Sequence, residues 1–100
     1  MEKVGLWVML KAKAGKEKEL AEFLKSAVPL VEAEPDTLSW FALQIGPSIF
    51  GIFDTFAADA GRDAHLSGKV AAALMAKAPE LLSEAASIEK VDLLAVKAGK

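Results

Sequence analysis

The chain has 100 residues, of which 53% are hydrophobic, so it is long enough for one compact domain and too short for two independent cores. Its formal charge of −2, from 12 basic and 14 acidic residues, gives no electrostatic reason to expect binding to nucleic acid or to an anionic membrane. The absence of cysteine excludes a disulfide framework and a thiolate nucleophile, and with no export signal at the N-terminus it favours the cytoplasm.

The N-terminal third predicts a strand followed by a helix. From Val4 to Leu10 every residue except Gly5 is apolar, and β-branched and aromatic residues in so short a run favour a buried strand. A helix is expected from about Lys16, because its apolar residues recur at helical spacing: Leu20, Phe23, Leu24, Ala27, Leu30 and Val31. Pro29 lacks a backbone N–H donor and should interrupt this helix near Ser26.

The middle of the chain predicts a β-hairpin. Residues 37–45 and 48–56 are two β-rich runs, and Gly46 and Pro47 stand between them, where a regular ladder cannot continue. Pro35 and Asp36 mark the turn that precedes the first run.

The C-terminal part predicts helices and a last strand. Asp59 is the expected N-cap of a helix that ends at Leu66, and a second helical stretch covers residues 69–77. Pro79 suits the first turn of one more short helix, and residues 87–97 form the expected last strand.

These elements predict a single α+β domain over residues 1–100. The order strand, helix, strand, strand, helix, strand is that of the ferredoxin-like βαββαβ fold, with an antiparallel four-stranded sheet. Alternate residues place apolar side chains on both faces of the strands, for example Leu6 and Val8 on one face and Trp7 and Met9 on the other. Two helices cover one face only, so the second face needs a partner, and a second copy of the chain is the expected one.

In its full length the chain resembles the antibiotic biosynthesis monooxygenase domain family, whose members are small dimeric α+β barrels. The segment "VMLKAKAGKEKELAEFL" is similar to the first strand and helix of that family, and "IFDTFAADAGRDAHLSG" is the best local match. Asp54, Phe56, His65 and Leu66 stand where family members commonly carry an acidic residue, an aromatic residue and a His-Leu pair.

The resemblance implies a dimeric barrel with a cavity between sheet and helices, and it leaves two functions open. One is a cofactor-independent monooxygenase that acts on a small aromatic, phenol or quinol substrate. The other is a non-catalytic dimeric barrel that binds a small apolar molecule or has a purely structural role. Phe56 departs from the tryptophan often found at its position. Haem breakdown is not expected, because the run from Leu6 to Leu10 lacks the asparagine of the haem-degrading members.

His65 and Asp54 are the candidate catalytic residues. A neutral imidazole has a reference pKa of about 6.5 and accepts or donates a proton near pH 7, whereas the alternative is a histidine that only supports the fold. Asp54 shares a strand face with Ile52 and Phe56, so desolvation would raise its pKa if it lined a cavity; the alternative is an ion pair with Arg62 or a lysine.

Four further residues are candidates for binding a substrate. Phe56, Phe23 and Trp40 offer aromatic walls, although aromatic residues in such positions more often fill a core or an interface. Arg62 is expected to be an exposed helix residue, with contact to an anionic quinol as the alternative. No metal site and no cofactor is expected, because one histidine without cysteine cannot form the usual ligand set and no nucleotide-binding motif is present.

Overall fold

The computed structural model describes residues 1–97, and these form an antiparallel four-stranded sheet with helices on one face. The strands are β1 (Val4–Lys11), β2 (Thr37–Gln44), β3 (Ile49–Phe56) and β4 (Ser87–Asp92), in the spatial order β2-β3-β1-β4. The helices are α1 (Glu17–Ser26), α2 (Val28–Glu32), α3 (Asp59–Leu66) and α4 (Lys69–Leu81). The predicted ferredoxin-like α+β fold is therefore confirmed.

The first helical segment is broken where the sequence predicts. The helix α1 ends at Ser26, and α2 begins after Ala27 with Pro29 in its first turn, where a missing N–H costs nothing. The hairpin is also as predicted, because β2 and β3 pair with Gln44 opposite Phe50.

Three predicted boundaries are wrong. Pro79 does not begin a separate helix but lies inside α4, close to its end. Pro79 has no N–H to donate to the carbonyl oxygen of Met75, four residues earlier, and Met75 is exposed to water. Leu81 and Leu82 are buried and anchor the end of the helix in the core. Apolar burial at this end therefore outweighs the preference of proline for a first turn.

The strand β4 ends at Asp92 and not at residue 97. Asp92 pairs with Val4, the first residue of β1, and after this pair Leu93 N–H still donates to the carbonyl oxygen of Lys3 at 2.9 Å. The N-cap of α3 is Ala58, whose backbone is extended, and not Asp59, which is the first residue of the helix. The Asp59 carboxylate accepts a hydrogen bond from Arg62 at 3.1 Å.

The core lies between the sheet and the helices. Its main cluster joins the inner faces of β1 and β3 to α1 and α4: Val8, Leu10, Ala12, Leu20, Leu24, Phe50, Ile52, Leu74, Leu81 and Leu82. The same inner face carries Leu6, Asp54 and Phe56, as the period of two along the strands requires. One charged side chain, Asp54, thus lies in the centre of an apolar face.

The outer face of the sheet carries no helix. On this face Trp7 and Phe53 pair across β1 and β3. Met9, Phe41 and Leu43 share the face, and their exposed fractions are 39%, 54% and 38%. We call these five residues the outer sheet face.

Candidate functional site

His65 lies between two carboxylates that come from distant parts of the chain. The last turn of α3 holds the ring with Nδ1 2.6 Å from Oε1 of Glu34, in the turn before β2. Its Nε2 atom lies 2.9 Å from Oδ2 of Asp54 on β3, which is an ion-pair distance although the contact lacks hydrogen-bond geometry. Both ring nitrogens are therefore occupied, and the ring itself is only 7% exposed.

The surroundings of His65 favour its charged form. Burial by itself lowers the pKa of the imidazole, because it removes water from the charged ring. The contacts and negative charges of Asp54 and Glu34 act in the opposite direction and prevail, so the pKa of His65 is raised above its reference value of about 6.5. Each ring nitrogen faces a carboxylate oxygen, and this arrangement favours the protonated ring.

Several buried polar atoms around this cluster lack a hydrogen-bond partner among the described residues. They are Oε2 of Glu34, both carboxylate oxygens of Asp54 and the indole Nε1 of Trp40. Unpaired buried polar atoms are rare in native proteins, and each needs an explanation such as a water molecule or a ligand. Trp40 pairs with Asp54 across β2 and β3, so these atoms belong to one region of the inner face.

Two pockets meet at Trp40. The larger one, the Trp40 pocket, has a volume of about 390 Å³ between α1 and the strand β2, and it is lined by Ala21, Leu24, Lys25, Val28, Phe50 and residues 40–44. The second, the Glu34 pocket, has a volume of about 260 Å³ and is lined by Val28, Val31, Glu32, Glu34 and residues 37–40. Val28 and Trp40 border both pockets, which places the two side by side.

A third concave region exposes the other side of the cluster. This His65 cleft has a volume of about 260 Å³ and includes Glu34, Thr37, Gly61, His65 and Lys69 in its lining. Glu34 therefore borders both the cleft and the Glu34 pocket, whereas Asp54 has no exposed surface.

The other predicted aromatic residues are dispersed. Phe56 is fully buried and packs against the ring of His65, with ring centroids 5.5 Å apart and planes inclined by 45°. Trp40 borders the two pockets described above. Phe23 is not brought to this cluster. It packs against the main core and borders a separate pocket of about 300 Å³ that Glu22 and Lys77 also line.

The prediction that Arg62 is an exposed helix residue is wrong, and so is the ion pair between Arg62 and Asp54. The side chain is 8% exposed, and its Nη1 atom donates to the carbonyl oxygens of Gly5 and Val91, both at 3.2 Å. Since α3 packs on the sheet, the long side chain reaches the paired backbones of β1 and β4. Arg62 thus ties α3 to two strands.

Glu34 was not predicted from the sequence as a site residue. This residue precedes Pro35 in a turn and is 31 positions from His65, so neither spacing nor periodicity connects the two. Its Oε1 atom also accepts a hydrogen bond from Thr37 at 2.7 Å, which fixes the carboxylate in the turn. The one sequence signal for Glu34 as a site residue was an acidic side chain in the turn just before the strand β2.

Within residues 1–97, no group of three histidine, cysteine or acidic side chains is arranged to hold a metal ion. The two carboxylates stand on opposite sides of the imidazole, so their oxygens do not converge with a free ring nitrogen. In the same part of the chain, no helix is long and apolar enough to cross a membrane.

Comparison with solved structures identifies the relatives of this chain. The NE2512 protein of Nitrosomonas europaea, a protein of unknown function, is 58% identical, with a TM-score of 0.97 over 100% of this chain and 97% of that chain. The chain belongs to the same family as NE2512. No model of a protein family and no curated protein matches it.

More distant structures carry the name that the sequence resemblance suggests. One titled antibiotic biosynthesis monooxygenase is 14% identical, with a TM-score of 0.78 over 92% of this chain and 99% of that chain. The PA3566 protein of Pseudomonas aeruginosa is 20% identical, with a TM-score of 0.80 over 95% and 97% of the two chains. The antibiotic biosynthesis monooxygenase-like fold is therefore confirmed for this chain.

Proposed function

We propose that the protein is a cofactor-independent monooxygenase of a small phenol or quinol, and that Asp54, His65 and Glu34 form its proton-accepting chain. The observation that carries this proposal is a buried imidazole whose two nitrogens lie 2.6 and 2.9 Å from carboxylate oxygens, beside a cleft that His65 and Glu34 line. A histidine that only joined two elements would need one partner. Two buried carboxylates on one ring leave an excess negative charge, which destabilises a fold and is typical of functional sites.

The reaction needs one proton acceptor and molecular oxygen. A phenol that binds beside the chain transfers one electron to oxygen and its hydroxyl proton to a carboxylate. The phenoxyl radical and superoxide then join at a ring carbon, the stored proton completes a hydroperoxide, and cleavage of the O–O bond releases water and leaves a quinone. One phenol and one oxygen molecule thus give one quinone and one water, and no protein group changes its oxidation state.

The walls of the Trp40 pocket support an aromatic substrate. Leu24, Val28 and Phe50 give it apolar surfaces, and Trp40 also borders it. Its volume of about 390 Å³ falls within the range of sites that hold small organic ligands.

Oxygen consumption tests the proposal. Wild-type protein is expected to consume oxygen faster than the protein-free autoxidation rate with at least one member of a panel of phenols and hydroquinones. Asp54→Asn keeps the shape and removes the charge, so the rate should fall by 10- to 100-fold and its pH profile should shift. Met75→Gln, at an exposed position on α4, is the matched control and should leave the rate unchanged.

The proposal fails if every compound reacts at the autoxidation rate, or if folded Asp54→Asn retains the full rate. The alternative function, binding of a small apolar molecule without catalysis, is favoured by the occupation of both ring nitrogens of His65. It predicts saturable binding of the same compounds with no consumption of oxygen.

We further propose that the protein acts as a homodimer that buries the outer sheet face. Monomeric proteins rarely expose a continuous patch of large apolar side chains, and here Trp7, Met9, Phe41, Leu43 and Phe53 lie together without a covering element. A second copy of the same face is self-complementary under two-fold symmetry.

A further inference from the structure

We propose that residues 93–97 of one copy, which we call the arm, add as a strand to the free edge of β2 in a second copy and form the missing wall of its Trp40 pocket. Each copy gives its arm to its partner and receives the partner's arm, so the contact is reciprocal under two-fold symmetry. This inference rests on the proposed homodimer and goes beyond it, because the outer sheet faces of two copies can pack without either arm touching β2.

The edge of β2 has little of the protection that sheet edges usually carry. The strand pairs with β3 on one side only, so alternate backbone N–H and C=O groups point away from the sheet. Charged side chains, proline or a short length usually protect such an edge, but β2 has eight residues without charge or proline, and its one irregularity lies at its start, between Thr37 and Ser39. The opposite edge strand, β4, has six residues, three of them charged. The edge of β2 is therefore the one suited to pairing with another strand.

The Trp40 pocket lacks a wall on the side of this edge. Ala42 and Gln44 on the inner face of β2 pair with the buried residues Ile52 and Phe50, yet both are exposed. Val28, on the helical side of the pocket, is 41% exposed. A strand paired with β2 would place every second side chain over this pocket. In the described part of the chain β2 is the last strand of the sheet, so no strand of the same copy fills this place.

The arm carries apolar side chains that lie largely in solvent. After Leu93 donates its hydrogen bond to the carbonyl oxygen of Lys3, the chain continues past the start of β1 without pairing with a strand of its own copy. Leu94 is 98% exposed and Val96 is 47% exposed. The two are one position apart, so they share one face of an extended strand. Burial of that face against the Trp40 pocket would remove apolar surface from water in both copies.

The position of the arm suits this exchange. It leaves β4 at a corner of the sheet, at the end where β1 begins. When two sheets pack with their strands crossed, such corners are the places where a strand passes from one sheet to the other. Phe41 and Leu43 border the Trp40 pocket and also belong to the outer sheet face, so an arm paired with β2 is continuous with the proposed interface. The exchange covers the free edge of β2 in both copies.

Isotope-filtered NMR of a mixed dimer tests the inference directly. Copies labelled with ¹³C and unlabelled copies are unfolded and refolded together, and only contacts between the two kinds of copy are recorded. We expect contacts from the methyl groups of Leu94 or Val96 in one copy to the side chain of Val28 or Trp40 in the other. The inference is overturned if these methyl groups contact no residue of the other copy, or only residues of its outer sheet face.

Hydrogen exchange of the β2 amides provides a second measurement. Alternate amides among residues 40–44 of the wild-type dimer should exchange at least about tenfold more slowly than in the double variant Leu94→Asp/Val96→Asp. The double variant should also raise the dissociation constant of the dimer about tenfold or more, because each arm loses two apolar contacts. Met75→Asp, an exposed apolar residue on α4, is the matched control and should change neither quantity.

Protection of β2 that survives both arm substitutions, as direct pairing of two β2 edges would give, overturns the inference, and so does the lack of protection in the wild type. Sedimentation separates this failure from that of the homodimer. A wild-type dimer without arm contacts keeps the homodimer and overturns the exchange, whereas a monomer at micromolar concentration overturns both. A dimer that shows the arm contacts but consumes no oxygen with any phenol supports the exchange and contradicts only the proposed reaction.

Discussion

Removal of the His65 ring should destabilise the protein strongly, because it leaves a buried carboxylate without its counter-charge. In His65→Ala, Asp54 keeps its fully buried position but loses the nitrogen that lies 2.9 Å away. Breaking a buried ion pair by removing one partner costs about 3 to 5 kcal/mol. Protonating an aspartate carboxylate at pH 7 costs about 4 kcal/mol, and this sets an upper limit because the variant can neutralise Asp54 instead.

The expected loss is therefore about 3 to 4 kcal/mol in the free energy of unfolding, or a fall in Tm of roughly 12 to 30 °C for a domain of this size. Urea unfolding followed by circular dichroism at pH 7 and one fixed protein concentration measures it. Asp54→Asn in the His65→Ala background removes the stranded charge and should restore at least about 1 kcal/mol. A loss below about 1 kcal/mol in His65→Ala, or an additional loss in the double variant, would refute the reasoning.

Other perturbations test the remaining parts of the account. The pKa of His65 is raised on folding, so its contribution to stability is complete below about pH 6.5 and is lost as the pH rises through the pKa of the folded state. The free energy of unfolding of the wild type should therefore fall from pH 6 to 9. The same fall should be absent in His65→Gln. Gly5→Ala would place a Cβ atom 2.7 Å from a backbone carbonyl oxygen and should lower the free energy of unfolding in urea by about 1 to 3 kcal/mol. In the control Gly46→Ala, the added Cβ atom meets nothing within 4 Å, so the free energy of unfolding should change by no more than about 0.5 kcal/mol. Phe41→Asp on the outer sheet face should sediment as a monomer at micromolar concentration, whereas the control Met75→Asp on α4 should sediment as a dimer. A monomeric wild type would contradict the proposed interface.

The fold was predictable because its signals are local. Apolar alternation placed Asp54 on the inner face with Ile52 and Phe56, and Pro29 marked the break between α1 and α2. The misplaced ends of α4 and β4 share one cause, since each depends on contacts between distant parts of the chain. Pro79 is tolerated in α4 because Leu81 is anchored in the core, which no local propensity reveals.

The site was only half predictable for the same reason. The position of Asp54 follows from strand period, and the attention to His65 came from a family resemblance. The contact of His65 with Glu34 is created by the packing of α3 against the turn before β2, across 31 residues. Arg62 was assigned to the surface because charged residues on helices are usually exposed, yet its length lets it reach the backbone carbonyls of two strands.

The raised pKa of His65 is the claim on which the electrostatics of the site and the proposed reaction depend. His65 is the one histidine of the chain, so its imidazole signals in an NMR pH titration need no assignment. We expect a titration midpoint above the reference value of about 6.5. A midpoint at or below 6.5 would contradict this.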